Sequence, residues 1–194
     1  MRRLFLAIAV GVAGISGCAD SPQKGQARFT NIEAKGNLQS LRPVGCVNVS
    51  ELTNQHTPAD IYPGVRKCID SGEFERGGRL FIVAGAYGRH DTLRVVDQTA
   101  HQAISVLRIK NLGDVDKARQ EAFREFLKDR YRPDSSELAA LCGELRRIGP
   151  PAYYPTYMTQ HGMSAFTGAG GGLREDFKTS DAWASALDSY VHCR

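Results

Sequence analysis

Four cysteines downstream of an export signal limit this chain more than any other feature. The signal is Met1-Arg2-Arg3, a short basic start, followed by the uncharged run Leu4 to Gly17 and then Cys18. A basic n-region with an apolar h-region directs secretion. The run falls short of the roughly 20 apolar residues that a bilayer-spanning helix needs. Beyond it stand Cys46, Cys68, Cys142 and Cys193. An even set of thiols in an oxidising compartment reads as a pair of disulfides, with connectivity left open by sequence. A zinc site fails on spacing: no C-x₂-C or H-x₃-H pair occurs and the histidines are scattered. No metal or other cofactor is expected, and pairing leaves no catalytic thiol.

The end of the leader, Ile15-Ser16-Gly17-Cys18, resembles the lipobox of bacterial lipoproteins: a branched aliphatic residue, two small residues, then cysteine. The resemblance implies cleavage before Cys18 and acylation of that residue. Several acyl chains hold a protein far more firmly than one, at about 0.8 kcal/mol per buried CH₂. Ala19 in place of aspartate implies, by the sorting rule of enteric bacteria, the outer membrane. The expected address is the periplasm, anchored by lipidated Cys18. The alternative is an ordinary signal peptide cut at a small-x-small site, with Cys18 incidental.

Charge excludes another class. The chain carries 25 Lys+Arg against 21 Asp+Glu, and Arg2 and Arg3 leave with the leader. A net charge near +2 does not make the basic surface that a nucleic-acid partner requires. At 194 residues, 42% apolar and 24% charged, the chain suits one globular domain with appendages.

The organisation reads as a signal peptide over 1–17, the lipidated cysteine with a flexible or irregular tether over 18–44, and a helical domain over 45–194. Ser21 to Gln26 lacks apolar periodicity and suits a spacer, and Arg28 to Leu41 reads as irregular chain along the domain. Pro63 fits the first turn of a helix that puts Val65, Cys68 and Ile69 on one face. Leu80 to Val83 fits a helix better than a strand, with Gly88 as its stop. Asp91 then caps a helix carrying Leu93, Val96, Ala100, Ala103 and Leu107, with His101 paired to Asp97. Val115, Ala118, Ala122, Phe126 and Tyr131 mark another. Asp134 and Glu137 read as a capping box before the stripe Leu138, Leu141, Cys142, Leu145 and Ile148, which Gly149 ends. Ser180 caps the last helix, whose inner side holds Trp183, Ala186, Tyr190 and Cys193. Cys142 and Cys193 lie on apolar faces that should pack together, which pairs them and leaves Cys46 with Cys68. The expected fold is all-α, a bundle of five or six short helices stapled by two disulfides.

Chemistry is sparse. Gly162-Met163-Ser164-Ala165-Phe166 narrowly misses the nucleophile elbow G-x-S-x-G, with Asp176 or Asp181 and then His192 following in hydrolase order. Phe166 replaces the second glycine, and no α/β sheet precedes it. The glycines at 168–172 lack the Walker lysine and read as a loop. No catalytic residue is assigned, and no small-molecule substrate is expected. Pro150 to Met163 gathers Tyr153, Tyr154 and Tyr157 with His161. Tyrosine suits interfaces, which makes these four the candidate partner contacts, although packing of the Cys142 helix onto the C-terminal helix accounts better for most of them and leaves an interaction role to the exposed ones.

The tail from Tyr153-Tyr154-Pro155-x-Tyr157-Met158-x-Gln160-His161-Gly162-Met163 through Trp183-x₃-Leu187-x₂-Tyr190-x-His192-Cys193 is similar to periplasmic immunity lipoproteins associated with phospholipase effectors of the type VI secretion system. Arg94-Val95-Val96-Asp97-x₂-Ala100-His101-Gln102-Ala103 fits the same group, so the likeness spans roughly 60–194. It implies a non-catalytic protein that binds and neutralises a phospholipase D-type toxin delivered by a sister cell. The toxin's own signature, H-x-K-x₄-D, is absent from this chain. The competing readings are an envelope scaffolding lipoprotein and a small envelope hydrolase using Ser164 or His161.

Overall fold

The computed structural model describes residues 33–193. The expected signal peptide, the expected lipidation site Cys18 and the expected tether as far as residue 32 lie outside the described residues. Within them the fold is all-α, with no strand, and both expected staples form, Cys46–Cys68 and Cys142–Cys193. Five longer helices make the frame: α1 (Pro58–Asp70), α2 (Phe74–Arg94), α3 (Ala103–Leu112), α4 (Lys117–Arg130) and α5 (Ser136–Ile148). Three short ones follow: α6 (Thr156–Thr159), α7 (Ser164–Thr167) and α8 (Thr179–Ser185), the last continuing as a π-turn over Ala186–Val191.

The compact unit starts at Glu33, earlier than residue 45. The reason is Asp60. It is the N3 residue of α1, and its side chain closes a capping box with Thr57. Its other oxygen accepts from the Ser40 hydroxyl and from the backbone N–H groups of Leu41 and Arg42. Burial pushes this carboxyl up, but the N–H and hydroxyl donors outweigh it and hold its pKa below the usual range. One buried carboxylate therefore both starts α1 and ties residues 40–42 to it. Pro58, not Pro63, takes the first turn, and Pro63 lies inside the helix.

α2 is the central element, buried on most sides. Four glycines admit its neighbours. A Cβ on Gly77 would meet Cys68 of α1, one on Gly78 the Tyr131 ring behind α4, one on Gly85 the Tyr190 ring, and one on Gly88 the Ile104 side chain of α3. Gly88 thus does not stop a helix, and Asp91 does not cap one; α2 runs through both to Arg94. The helix expected from Leu93 to Leu107 is broken. Val95 pairs with Leu173 in an isolated antiparallel bridge, the Val96 N–H donates to Gly172, and a 3₁₀ turn over Gln98–Gln102 precedes α3. His101 bonds the Val95 carbonyl, not Asp97, which instead caps the 3₁₀ turn through the Thr99 N–H.

Smaller corrections follow the same logic. α4 buries Phe123 and leans on Leu127 and Tyr131, whereas Ala118 and Ala122 are exposed. Its charged residues gave the expected stripe no contrast. Ser135, not Asp134, caps α5 by accepting from the Leu138 N–H. The stripe Leu138, Leu141, Cys142 and Leu145 is buried as expected. Lys178, without a side-chain cap, precedes α8 in place of Ser180.

Candidate functional site

The tyrosine-rich segment meets α2 at a closed polar hub. Asp91 and Arg94 stand one turn apart at the end of α2, both buried. The Arg94 Nε donates to Asp91 Oδ1 at 2.8 Å, and Arg94 Nη2 lies 2.7 Å from the same oxygen, off the line of a hydrogen bond. Asp91 Oδ2 accepts from the hydroxyls of Tyr153 at 2.9 Å and Tyr157 at 2.6 Å. The Arg94 guanidinium also sits over the Tyr153 ring, 5.2 Å from its centroid. Burial, and then the Asp91 charge, drive the pKa of both phenols well above the usual tyrosine value. The carboxylate is surrounded by three donors and shielded from water. It fixes residues 150–160 on the central helix and presents no group to a substrate.

The four tyrosine-segment candidates therefore separate. Tyr153 and Tyr157 are spent inside the fold and do not face a partner. Tyr154 is 56% exposed. His161 is half-buried, with Nδ1 at 2.8 Å from the Asn37 side chain, and burial lowers its pKa. Ser164 belongs to another small cluster: its N–H donates to Asp97 Oδ2 at 2.8 Å. The Thr99 hydroxyl, helped by Ser164, holds the Asp97 carboxyl well below the usual range. No hydrogen bond joins Ser164 to His161 or His192 among the described residues. Nor do the described residues include three or more metal-ligating side chains in one group.

A few large apolar side chains stand on the described surface. Ile109 is 70% exposed, Met163 58% and Phe166 48%. Ile109 edges a groove of about 470 Å³ between α3 and α4, floored by Phe81 of α2, Ile69 of α1 and Phe123. The sequence reading missed both the hub and the groove. The hub had a signal: after the uncharged run 80–88, Arg89, His90, Asp91 and Arg94 crowd the last turns of α2. The groove had a weaker one, in Ile109 set between Arg108 and Lys110, with Leu112 three residues on.

Compared with family models, curated proteins and solved structures, the chain finds no match.

Proposed function

We propose that this chain is a non-catalytic binding protein of the periplasm, held at the outer membrane by lipidated Cys18, which neutralises an antibacterial phospholipase effector by tight stoichiometric association. The observation that carries the binding role is a disulfide-stapled helical frame that leaves Ile109, Tyr154, Met163 and Phe166 on its surface. Large apolar side chains kept in water by a rigid scaffold are what a protein interface uses, because little conformational entropy is lost on docking. The class of partner comes from the likeness of the 153–193 tail to immunity lipoproteins.

Such an inhibitor has to leave almost no free toxin, since one phospholipase molecule turns over many lipids. Nanomolar Kd, about −12 kcal/mol, is the expected scale. The test titrates the processed chain, with Cys18→Ser to keep it in solution, against a phospholipase D-type effector, sought first in the neighbouring open reading frame. Activity should fall linearly to zero at one equivalent, and Ser164→Ala should change nothing. Inhibition at substoichiometric amounts, or its loss with Ser164→Ala, would replace this reading with the hydrolase. Failure of the two proteins to associate would leave the scaffolding reading.

A further inference from the structure

The groove between α3 and α4 is built before anything fills it. Residues 113–116 join the two helices, and this elbow is pinned from several directions. Gln120 Nε2 donates to the carbonyls of Leu112 and Val115, at 3.1 and 2.7 Å. Arg66 of α1 donates to the Asn111 carbonyl and pairs with Asp114. Arg119 Nη1 reaches the Asp70 carbonyl at 2.8 Å. α3 rests mainly on α1 and α4 on α2, with at most marginal contact between α3 and α4 themselves. Two helices diverging from a fixed elbow leave an apolar trough, and Ile109 stands at its edge with most of its surface in water.

The charges around the trough choose its occupant. Its lining holds two arginines, Arg108 from α3 and Arg124 from α4, and no carboxylate. Arg108 makes no ion pair among the described residues and lies over the Phe81 ring at 5.4 Å. Arg124 pairs with Glu121 at 2.7 Å, where both side chains are more than half exposed, and interacts at longer range with Glu125. An exposed pair of this kind is weak and open to exchange. The chain's own residues 19–32 bring Lys24 and Arg28 against a single acid, Asp20, which suits two arginines poorly.

We infer that this trough docks an amphipathic helix of the partner protein whose apolar stripe meets Ile109, Leu112 and Phe123 and whose flanking carboxylates meet Arg108 and Arg124. α3 spans ten residues and α4 fourteen, so the matching partner helix has about three to four turns at 1.5 Å per residue. The inference rests on the binding role proposed above and adds where and what this chain binds.

The probe is a fluorescein-labelled synthetic 18-residue amphipathic peptide with leucines on one face and glutamates on both flanks. Its control carries lysines in place of the glutamates. With the processed Cys18→Ser chain, fluorescence anisotropy should show saturable binding of the acidic peptide and none of the basic one. Ile109→Asp should abolish binding, and Arg108→Glu with Arg124→Glu should weaken it by at least about tenfold. Both variants lie on the exposed rim, and unchanged circular dichroism and thermal unfolding would show them folded. Equal binding of the two peptides, or binding that survives Ile109→Asp, would overturn the inference. So would concentration-dependent dimerisation lost with Ile109→Asp, or binding to anionic phospholipid vesicles in preference to the acidic peptide. The phospholipase titration separates the two readings. Full inhibition by Ile109→Asp chain would remove the groove but keep the inhibitor; peptide binding without inhibition would do the reverse.

Discussion

Asp91 shows how much one side chain can hold. Replacing it with alanine would strand Arg94 and leave the Tyr153 and Tyr157 hydroxyls without an acceptor, all in a closed site. Breaking a buried pair from one side costs about 3–5 kcal/mol, so Asp91→Ala should lose about that much stability in urea unfolding, a large share of a domain's usual total of about 5–15 kcal/mol. Tyr154→Ala, on the exposed neighbour, should stay within about 0.5 kcal/mol of the parent. The same hub sets an alkaline limit. Unfolded tyrosine releases its proton near pH 10, while burial keeps Tyr153 and Tyr157 protonated in the fold well beyond that. Above pH 10 the unfolded chain then holds fewer protons than the folded one, and the free energy of unfolding falls as pH rises. Unfolding followed from about pH 9 to about pH 12 should show that decline, and Tyr153→Phe with Tyr157→Phe should make it shallower without removing it, because burial also raises the pKa of Tyr62, Tyr87, Tyr131 and Tyr190. His90 is the opposite case. It is wholly buried, and neither ring nitrogen is hydrogen-bonded among the described residues: Nδ1 stops 3.8 Å from Asp91 Oδ1, and the ring meets Phe177 and Trp183 edge-on. An apolar replacement of similar size relieves an unmet polar group, so His90→Leu should raise stability, by about 1 kcal/mol. Tyr153 and Tyr157 were visible in the sequence as unusual, but not their direction: a tyrosine that packs and one that binds look alike until the acceptor is known.

Helices were legible where a stripe stood against polar neighbours and ended in a strong punctuation mark. α5 is the clear instance, with its buried leucines and Gly149 at φ 82°, and through Cys142 it led to the correct disulfide pairing. The spurious Leu93–Leu107 helix failed because the helical period continues across a break imposed from far away, by Leu173 and Gly172 on the backbone of Val95 and Val96. Gly88 misled for a related reason, since a glycine that stops a helix and one that admits a neighbour share the same letter. The distinction is measurable. Gly143 lies inside α5 with open space where a Cβ would stand, so Gly143→Ala should gain about 0.5–1 kcal/mol from helix propensity. At Gly88 the new Cβ would lie 2.5 Å from Ile104 Cδ1 and 2.8 Å from its Cγ1. There the same substitution should lose stability, on the order of 1–3 kcal/mol from overpacking. Opposite signs in chemical denaturation would establish that α2 uses Gly88 for contact with α3; a gain at both would refute it.

At the scale of the molecule, address and binding are separable properties. The two staples span sequence separations of 22 and 51 residues, and loop-closure entropy makes them worth about 3 and about 4 kcal/mol. They hold the described unit rigid whether or not a membrane is near. The proposed anchor, Cys18, precedes that unit in the sequence and would supply only location. Location matters for an inhibitor of a lipid-cleaving enzyme, because the enzyme and its substrate meet at the membrane surface, where an anchored binder is concentrated too. If Cys18 is acylated, Cys18→Ser should move the chain from the membrane fraction to the soluble periplasm, or leave it unprocessed. Affinity of the purified chain for its partner should not change, since no contact in the domain is touched. Protection of cells against the delivered toxin should weaken even so, because the soluble chain spreads through the periplasmic volume. Normal processing with unchanged membrane fractionation would refute lipidation at Cys18, whereas release from the membrane with undiminished protection would keep the anchor and remove its role in inhibition.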